Sequence, residues 1–467
     1  MNSSESPLVT QLAAIVGSDW VKTDPQDLQQ YGKDWTKQFA AAPAAIVLPA
    51  DEQQVVSLVK LANELEFALV PSGGRTGLSG GATASNSEVV IAMDRMNRIL
   101  DFDATDRYAI CQAGVITEQL QQFAEDKGLF YPVDFASSGS SQLGGNVATN
   151  AGGIKVIRYG MTRSWVQGLK VVTGSGELLD LNRGLLKNAT GYDLRHLFIG
   201  SEGTLGIITE ITIQLANQPV EPTVMVLGAQ SMTDVMEVLR AFQAKIELDA
   251  FEFFSEPALK HVIEDKGLQR PFPDPCPYYA LLEFQNQDEQ TMESALALFE
   301  QCLESGWISD GTISQSTAQA QALWRLREDI SETIAQFTPY KNDISVRVSR
   351  VPHFVSDVDE LVSSEYPDFE IIWFGHIGDG NVHLNILKPG ELAAEEFFAR
   401  CATVSEQVFG LVQKHGGSIS AEHGVGQLKK PYLHYSRSAV EIDAMRQIKA
   451  VFDPKGVMNP GKVFDSC

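Results

Sequence analysis

Three glycine-rich stretches, each joined to an apolar, strand-like run, constrain this chain more than any other feature. The first, Pro71-Ser72-Gly73-Gly74-Arg75-Thr76-Gly77-Leu78-Ser79-Gly80-Gly81, ends the run Leu69-Val70-Pro71. The second covers residues 139–153, and the third, residues 199–208, leads into an apparent strand. Glycine lets a backbone pass close to a ligand, and consecutive N–H groups in a concave loop bind phosphate oxygens. The first stretch lacks the G-x-G-x-x-G spacing and no clear helix follows it, so it is not a dinucleotide fingerprint. Three hairpin turns are the plain alternative. Three such loops between strands are more economically the wall of one large cofactor site. Asn146, Thr149 and Asn150 supply polar contacts to the second.

Around these loops the elements alternate. Leu8, Leu12, Ile15 and Val16 predict a helical lead-in, and Ile46-Val47-Leu48-Pro49 a strand. Asp51 then caps a helix in which Val55, Val56, Leu58, Val59, Ala62 and Leu65 keep the 3.6-residue period. The proline-flanked run Gln218-Pro219-Val220-Glu221-Pro222 reads as a linker. Beyond it, strands at residues 223–227 and 279–284 alternate with helices at residues 235–242 and 291–303. That pattern predicts an open, mainly antiparallel sheet covered by helices. From residue 402 onward the periodicity is mostly helical. A chain of 467 residues is too long for one ordinary domain. The expectation is an α+β protein with domains at residues 1–217 and 218–401 and a helical C-terminal region at 402–467.

The densest polar chemistry lies in Gly375-His376-Ile377-Gly378-Asp379-Gly380-Asn381-Val382-His383-Leu384-Asn385. On one straight strand, a spacing of seven would aim the two histidines at opposite faces. A Gly-Asp-Gly turn between them folds the chain back, so both can face one point, while His383 and Asn385 share a strand face. Further on comes Ala421-Glu422-His423-Gly424-Val425-Gly426. Two histidines across a turn, with Glu422-His423 in a glycine-bounded loop, suit a divalent metal such as zinc; a hydrogen-bond network is the alternative. Arg327 and Ser331 are four apart on a predicted helix, and Lys341 follows the Thr338-Pro339 turn. The two cations are either solvated charges or a clamp for a carboxylate.

Charge sharpens that choice. Thirty-six basic and sixty acidic residues give a net charge of −24, which argues against nucleic acid or an anionic membrane as the main partner. An anionic substrate needs cations gathered locally. The five cysteines (Cys111, Cys276, Cys302, Cys401, Cys467) are scattered and never spaced C-x-x-C, so neither a disulfide framework nor a cysteine metal site follows, and a reducing cytoplasm fits. Residues 1–7 lack a signal-peptide pattern, and no apolar run approaches the ~18–20 residues of a membrane span. A soluble cytoplasmic protein, not an integral membrane protein, is expected.

The glycine loops resemble the FAD-binding elements of vanillyl-alcohol-oxidase-type flavoproteins, and the resemblance covers residues 45–462. Within that superfamily the chain is most similar to the D-2-hydroxyacid dehydrogenases. The resemblance implies FAD between two α+β subdomains, its pyrophosphate on the amides of Gly73, Gly74, Arg75, Thr76 and Gly77, beside Pro71. Gly144, Gly145, Asn146, Thr149, Asn150, Gly152, Gly203 and Ile208 would contact the rest of the cofactor, and Asn459 of the closing motif would return to the flavin. The first loop has no histidine for a covalent link, so dissociable FAD is implied. His376, His383 and Glu422 match the family's metal ligands, Asn385 a substrate contact, and His423 a substrate-binding base. Arg327, Ser331 and Lys341 match the residues that bind the distal carboxylate in D-2-hydroxyglutarate dehydrogenases, with Ser331 where threonine is usual.

The implied reaction is oxidation of D-2-hydroxyglutarate to 2-oxoglutarate, the proton going to His423 and the C2 hydride to flavin N5. An electron acceptor such as electron-transfer flavoprotein or a quinone must follow, and a homodimer is compatible with the resemblance. Three rivals stay open at this stage. They are D-lactate or glycolate oxidation on the same scaffold, a flavin-free metal hydrolase, and a non-catalytic flavin-binding subunit. Lys341 beside Arg327 favours the dicarboxylate, since a small monocarboxylate leaves one cation unused.

Overall fold

The computed structural model describes residues 6–465; Cys467 and the first residues of the N-terminal stretch lie outside them. The chain divides into two compact units. The first comprises Met1–Gly152, Met161–Gln218 and Glu422–Cys467, the second Gly153–Gly160 and Pro219–Ala421.

In the first unit the strands Ala45–Val47, Val89–Ala92 and Leu69–Ser72 run parallel, with Val21–Lys22 antiparallel at the edge. The helix Glu52–Leu65 links two of them; Asp51 accepts a hydrogen bond from the Gln54 amide, and the apolar face buries Val55, Leu58, Val59 and Ala62. Five antiparallel strands form a second sheet, in the order Ile99–Asp103, Tyr108–Gln112, Gly206–Gln214, Val166–Thr173, Leu178–Leu181. One apolar core joins the helix to both sheets. The closing motif docks here too: Leu69 pairs in parallel with Met458.

The second glycine stretch departs from the expected loop, because Leu143–Thr149 is a helix. Glycine disfavours helix in isolation, but this helix is held by packing. Leu143 and Val147 are buried, and a Cβ on Gly144 would lie 2.7 Å from the Ala113 Cβ. Only glycine permits that approach.

The second unit is built on a seven-stranded sheet in the order Asp310–Ile313, Pro222–Ala229, Tyr278–Gln285, Leu248–Ser255, Ile371–Gly375, Asn381–Ile386, Tyr340–Ser345. Every pairing is antiparallel. On one face Val226, Phe254, Leu281 and Ile372 pack against helices Glu256–Lys266 and Thr317–Glu328, through residues such as Leu259 and Trp324. The segment Gly153–Gly160 packs on this sheet as well, through Arg158 to Asp249 at 2.8 Å and Lys155 to Glu283 at 2.8 Å. The strand Leu248–Ser255 escapes a period-based reading because every residue in it is buried, on both faces. Tyr340–Ser345 begins earlier than its polar start suggests, since it is an edge strand held by its ladder to Asn381–Ile386. Among the described residues, no helix is long and apolar enough to cross a membrane.

Candidate functional site

The three glycine stretches line one cleft of the first unit, about 950 Å³ counting its open mouth. Pro71, Gly73, Gly74, Arg75, Thr76 and Gly77 form one wall; Gly144, Gly145, Asn146 and Thr149 form another; Gly203 and Ile208 contribute from the third stretch. Among the described residues, the backbone amides of Gly74, Arg75, Thr76 and Gly77 have no acceptor. Buried Ser72 Oγ, Gln142 Oε1 and Asp34 Oδ2 on the same walls lack hydrogen-bond partners among the described residues. A Cβ built on Gly145 meets nothing within 4 Å. Unpaired buried polar atoms are costly, so this lining fits a polar ligand that carries phosphate, as FAD does.

Arg75 contributes to that wall through its backbone. Its guanidinium is held by both oxygens of Asp94, at 2.8 and 3.1 Å, and by Gly73 O at 2.9 Å. Asn150, Gly152 and Asn459 stand off the cleft wall. Asn150 takes a left-handed conformation after the helix and accepts from the Arg163 amide. Asn459 Nδ2 donates to Gly81 O at 2.9 Å and Glu202 O at 2.7 Å, stapling the first glycine stretch to the third.

His423 lines the same cleft. The loop that carries it is held from both sides. The Ser79 hydroxyl lies 2.8 Å from His423 O and 3.0 Å from Gly424 O. Glu202 accepts from the amides of Val425 at 2.7 Å and Gly426 at 2.8 Å. Burial raises the Glu202 carboxyl above its ordinary value, and those two amide donors oppose the rise. Gly426 has φ +50, and a Cβ there would sit 2.1 Å from Ser79 O. Sequence reasoning misses Glu202 and Ser79; an acid set between glycines, in Gly200-Ser201-Glu202-Gly203, is the available signal.

In the second unit the Gly-Asp-Gly turn folds the chain back. Phe374 pairs with His383 across the two strands, Gly380 takes φ +87, and Asn381 N donates to His376 O at 3.2 Å. The rings of His376 and His383 lie edge to face, 5.4 Å apart. Each has a carboxylate beside Nδ1: Glu252 Oε1 at 2.8 Å for His376 and Asp343 Oδ1 at 3.8 Å for His383. A carboxylate behind an imidazole is the usual outer layer of a metal site. The donor set therefore fits a divalent cation. Burial pushes the Asp379 carboxyl up to about 6, with His376 pulling the other way, and its Oδ1 accepts from the Asn381 amide at 3.0 Å.

The strand register gathers the remaining polar side chains. Lys341 stands opposite Asn385 and Asp343 opposite His383, so alternation puts all four on one sheet face. Lys341 Nζ donates to Ser331 Oγ at 3.0 Å. The helix bearing Arg327 stops at Glu328, and Ser331 sits in the short helix Ile330–Thr333; Arg327 is buried whereas Ser331 is exposed. That first helix is pinned by Trp324 Nε1, which donates to Glu283 Oε2 at 2.7 Å. Arg327 is 6% exposed, lies over the Phe374 ring, and places Nη2 2.8 Å from Glu252 Oε2. Its Nε and Nη2 nevertheless have no aligned hydrogen-bond acceptor among the described residues. Glu252 is absent from the sequence-based site, although one acid inside Ala250-Phe251-Glu252-Phe253-Phe254 signals a buried partner.

Comparison with known proteins places this geometry. The family described as "FAD linked oxidases, C-terminal domain" matches residues 218–463, and "FAD binding domain" matches residues 43–182. A D-2-hydroxyglutarate dehydrogenase of Stutzerimonas stutzeri is 60% identical over 461 residues, covering 99% of each chain. Another, from Xanthomonas citri pv. viticola, is 52% identical over 460 residues, covering 98% of this chain and 97% of the relative. Among solved structures, 4-ethylphenol oxidase from Gulosibacter chungangensis superposes with a TM-score of 0.76 over 100% of this chain and 98% of that one, at 17% identity, which speaks for the fold alone. The FAD-binding match removes the flavin-free hydrolase from consideration. The chain belongs to the FAD-linked oxidases, as an FAD-dependent D-2-hydroxyacid dehydrogenase related to the D-2-hydroxyglutarate dehydrogenases.

Proposed function

We propose that this chain oxidises D-2-hydroxyglutarate to 2-oxoglutarate with FAD and a divalent metal ion, zinc being the ion its nitrogen and carboxylate ligands suit best. The observation that carries the choice of acid is Arg327, a buried guanidinium whose Nε has no hydrogen-bond acceptor among the described residues and whose Nη2 meets Glu252 as an ion pair without an aligned hydrogen bond. The 60% identical relative bears the same activity in its name. Arg327 offers a planar fork to the distal carboxylate, while Ser331 and Lys341 add a hydroxyl and a second cation. Asn385 orients the substrate from the same sheet face as Lys341. His376 and His383 would hold the cation through ring nitrogens, and Glu422 would add a carboxylate.

FAD held on the glycine-lined walls would supply a hydride acceptor, and a cation held by His376, His383 and Glu422 would supply Lewis-acid polarisation of the substrate hydroxyl. His423 takes the hydroxyl proton, a role for which a neutral imidazole supplies a basic ring nitrogen. Ser79 and Glu202 hold its loop so that the ring need not search for its position.

A panel of D-2-hydroxy acids, turned over with an artificial electron acceptor, tests the substrate. Two cations at the distal end predict a kcat/KM for D-2-hydroxyglutarate at least about a hundredfold above that for D-lactate. Lactate or glycolate equalling it would replace the dicarboxylate reading with the monocarboxylate one.

A further inference from the structure

We propose that Glu252 is a positioning residue that sets the metal-side imidazole and the distal-carboxylate guanidinium in one geometry. The inference rests on the metal and substrate reading above and adds a residue to it. Glu252 is fully buried, and its two oxygens face different partners. Oε1 lies 2.8 Å from His376 Nδ1, and Oε2 lies 2.8 Å from Arg327 Nη2.

Each contact has a chemical consequence. A carboxylate only accepts, so the His376 bond requires the proton on Nδ1 and puts the ring's lone pair on Nε2. That is the tautomer a metal ligand needs, and the carboxylate behind it raises the ligand's basicity. On the other side, the negative charge holds an arginine in a largely apolar layer that includes Phe254, Phe374 and Leu281. The contact is one of charge rather than an aligned fork, since Arg327 Nε and Nη2 remain without hydrogen bonds. Donors are thereby kept for an incoming anion. No neutral side chain does both jobs. The amide of glutamine would turn its NH2 toward either the guanidinium or the imidazole, and its oxygen carries no full charge for either.

The test uses FAD-loaded protein stripped of metal and titrated with zinc against a chromophoric chelator, alongside the ratio of kcat/KM for D-2-hydroxyglutarate over D-lactate. In Glu252→Gln, zinc affinity is expected to weaken about tenfold or more, and the dicarboxylate preference to fall by about tenfold. Either quantity at its wild-type value overturns the shared role. If Glu252→Gln fails to load FAD, Glu252→Asp carries the same prediction, because it keeps the charge and withdraws it from both partners. His376→Ala separates the two layers of inference. Wild-type zinc binding in His376→Ala sinks the metal reading itself. Zinc lost in His376→Ala but kept in Glu252→Gln sinks only the role of Glu252.

Discussion

Replacing His423 with asparagine is expected to lower kcat for D-2-hydroxyglutarate about a thousandfold while FAD stays bound. A positioned general base contributes roughly 10²–10⁴ to a proton transfer, and asparagine keeps a polar side chain without the basic nitrogen. The loop should survive, because its clamps fall on backbone. Ser79 reaches the carbonyls of residues 423 and 424, and Glu202 the amides of Val425 and Gly426. Rapid-mixing measurement of flavin bleaching reads the step directly. A loss below about tenfold would mean that another group accepts the proton.

The second large effect is expected at Arg327. Methionine there fills similar space but removes every donor, so kcat/KM for D-2-hydroxyglutarate should fall by about 10²–10³, while D-lactate turnover changes far less. Stability should drop too. Glu252 would remain buried without its cation, a situation that costs about 3–5 kcal/mol, visible as a lower Tm in the FAD-loaded protein. Adding Glu252→Leu removes the stranded carboxylate, so the double variant should regain stability without regaining activity. A double-variant cycle of Tm values checks the coupling, and simple additivity would show that the 2.8 Å pair matters little.

These expectations draw on features that differ in how far sequence discloses them. Local period suffices where a helix covers one face. The helices Glu52–Leu65 and Met232–Gln243, each with a side-chain cap at its start, follow from spacing alone. So does the fold-back between His376 and His383, because glycines bracket a turn and polar residues resume beyond it. Long-range packing is less legible. Gly144 in the helix Leu143–Thr149 makes sense only once Ala113 is known to press on it. Nor does composition reveal that Gly153–Gly160, bounded on both sides by chain of the first unit, packs in the second through ion pairs to the buried carboxylates of Glu283 and Asp249. Lys341 lies on an edge strand whose polar residues give no strand signal until their partners are placed.

The site divides along the same line. Residues with unusual chemistry in compact motifs, such as His376, His383 and His423, are legible from the chain. Residues that act by touching them are not, because one buried acid resembles any other until its neighbours are placed. Glu252 lies 124 positions from His376, and Glu202 lies 223 positions from Val425. Arg327 is intermediate. Its residue type suggests a carboxylate clamp, but the burial and unaligned donors on which that proposal rests are properties of the packed sheet.

Anaerobic flavin reduction by D-2-hydroxyglutarate, compared between metal-stripped protein and the same protein reloaded with zinc, tests the metal-assisted oxidation most directly. A cation that stabilises the developing alkoxide contributes several kcal/mol, so stripping should slow bleaching of the flavin at least about a hundredfold, and zinc should restore it. Equal rates in both samples, with metal analysis showing the stripped protein to be empty, would contradict a role for the metal in the oxidation.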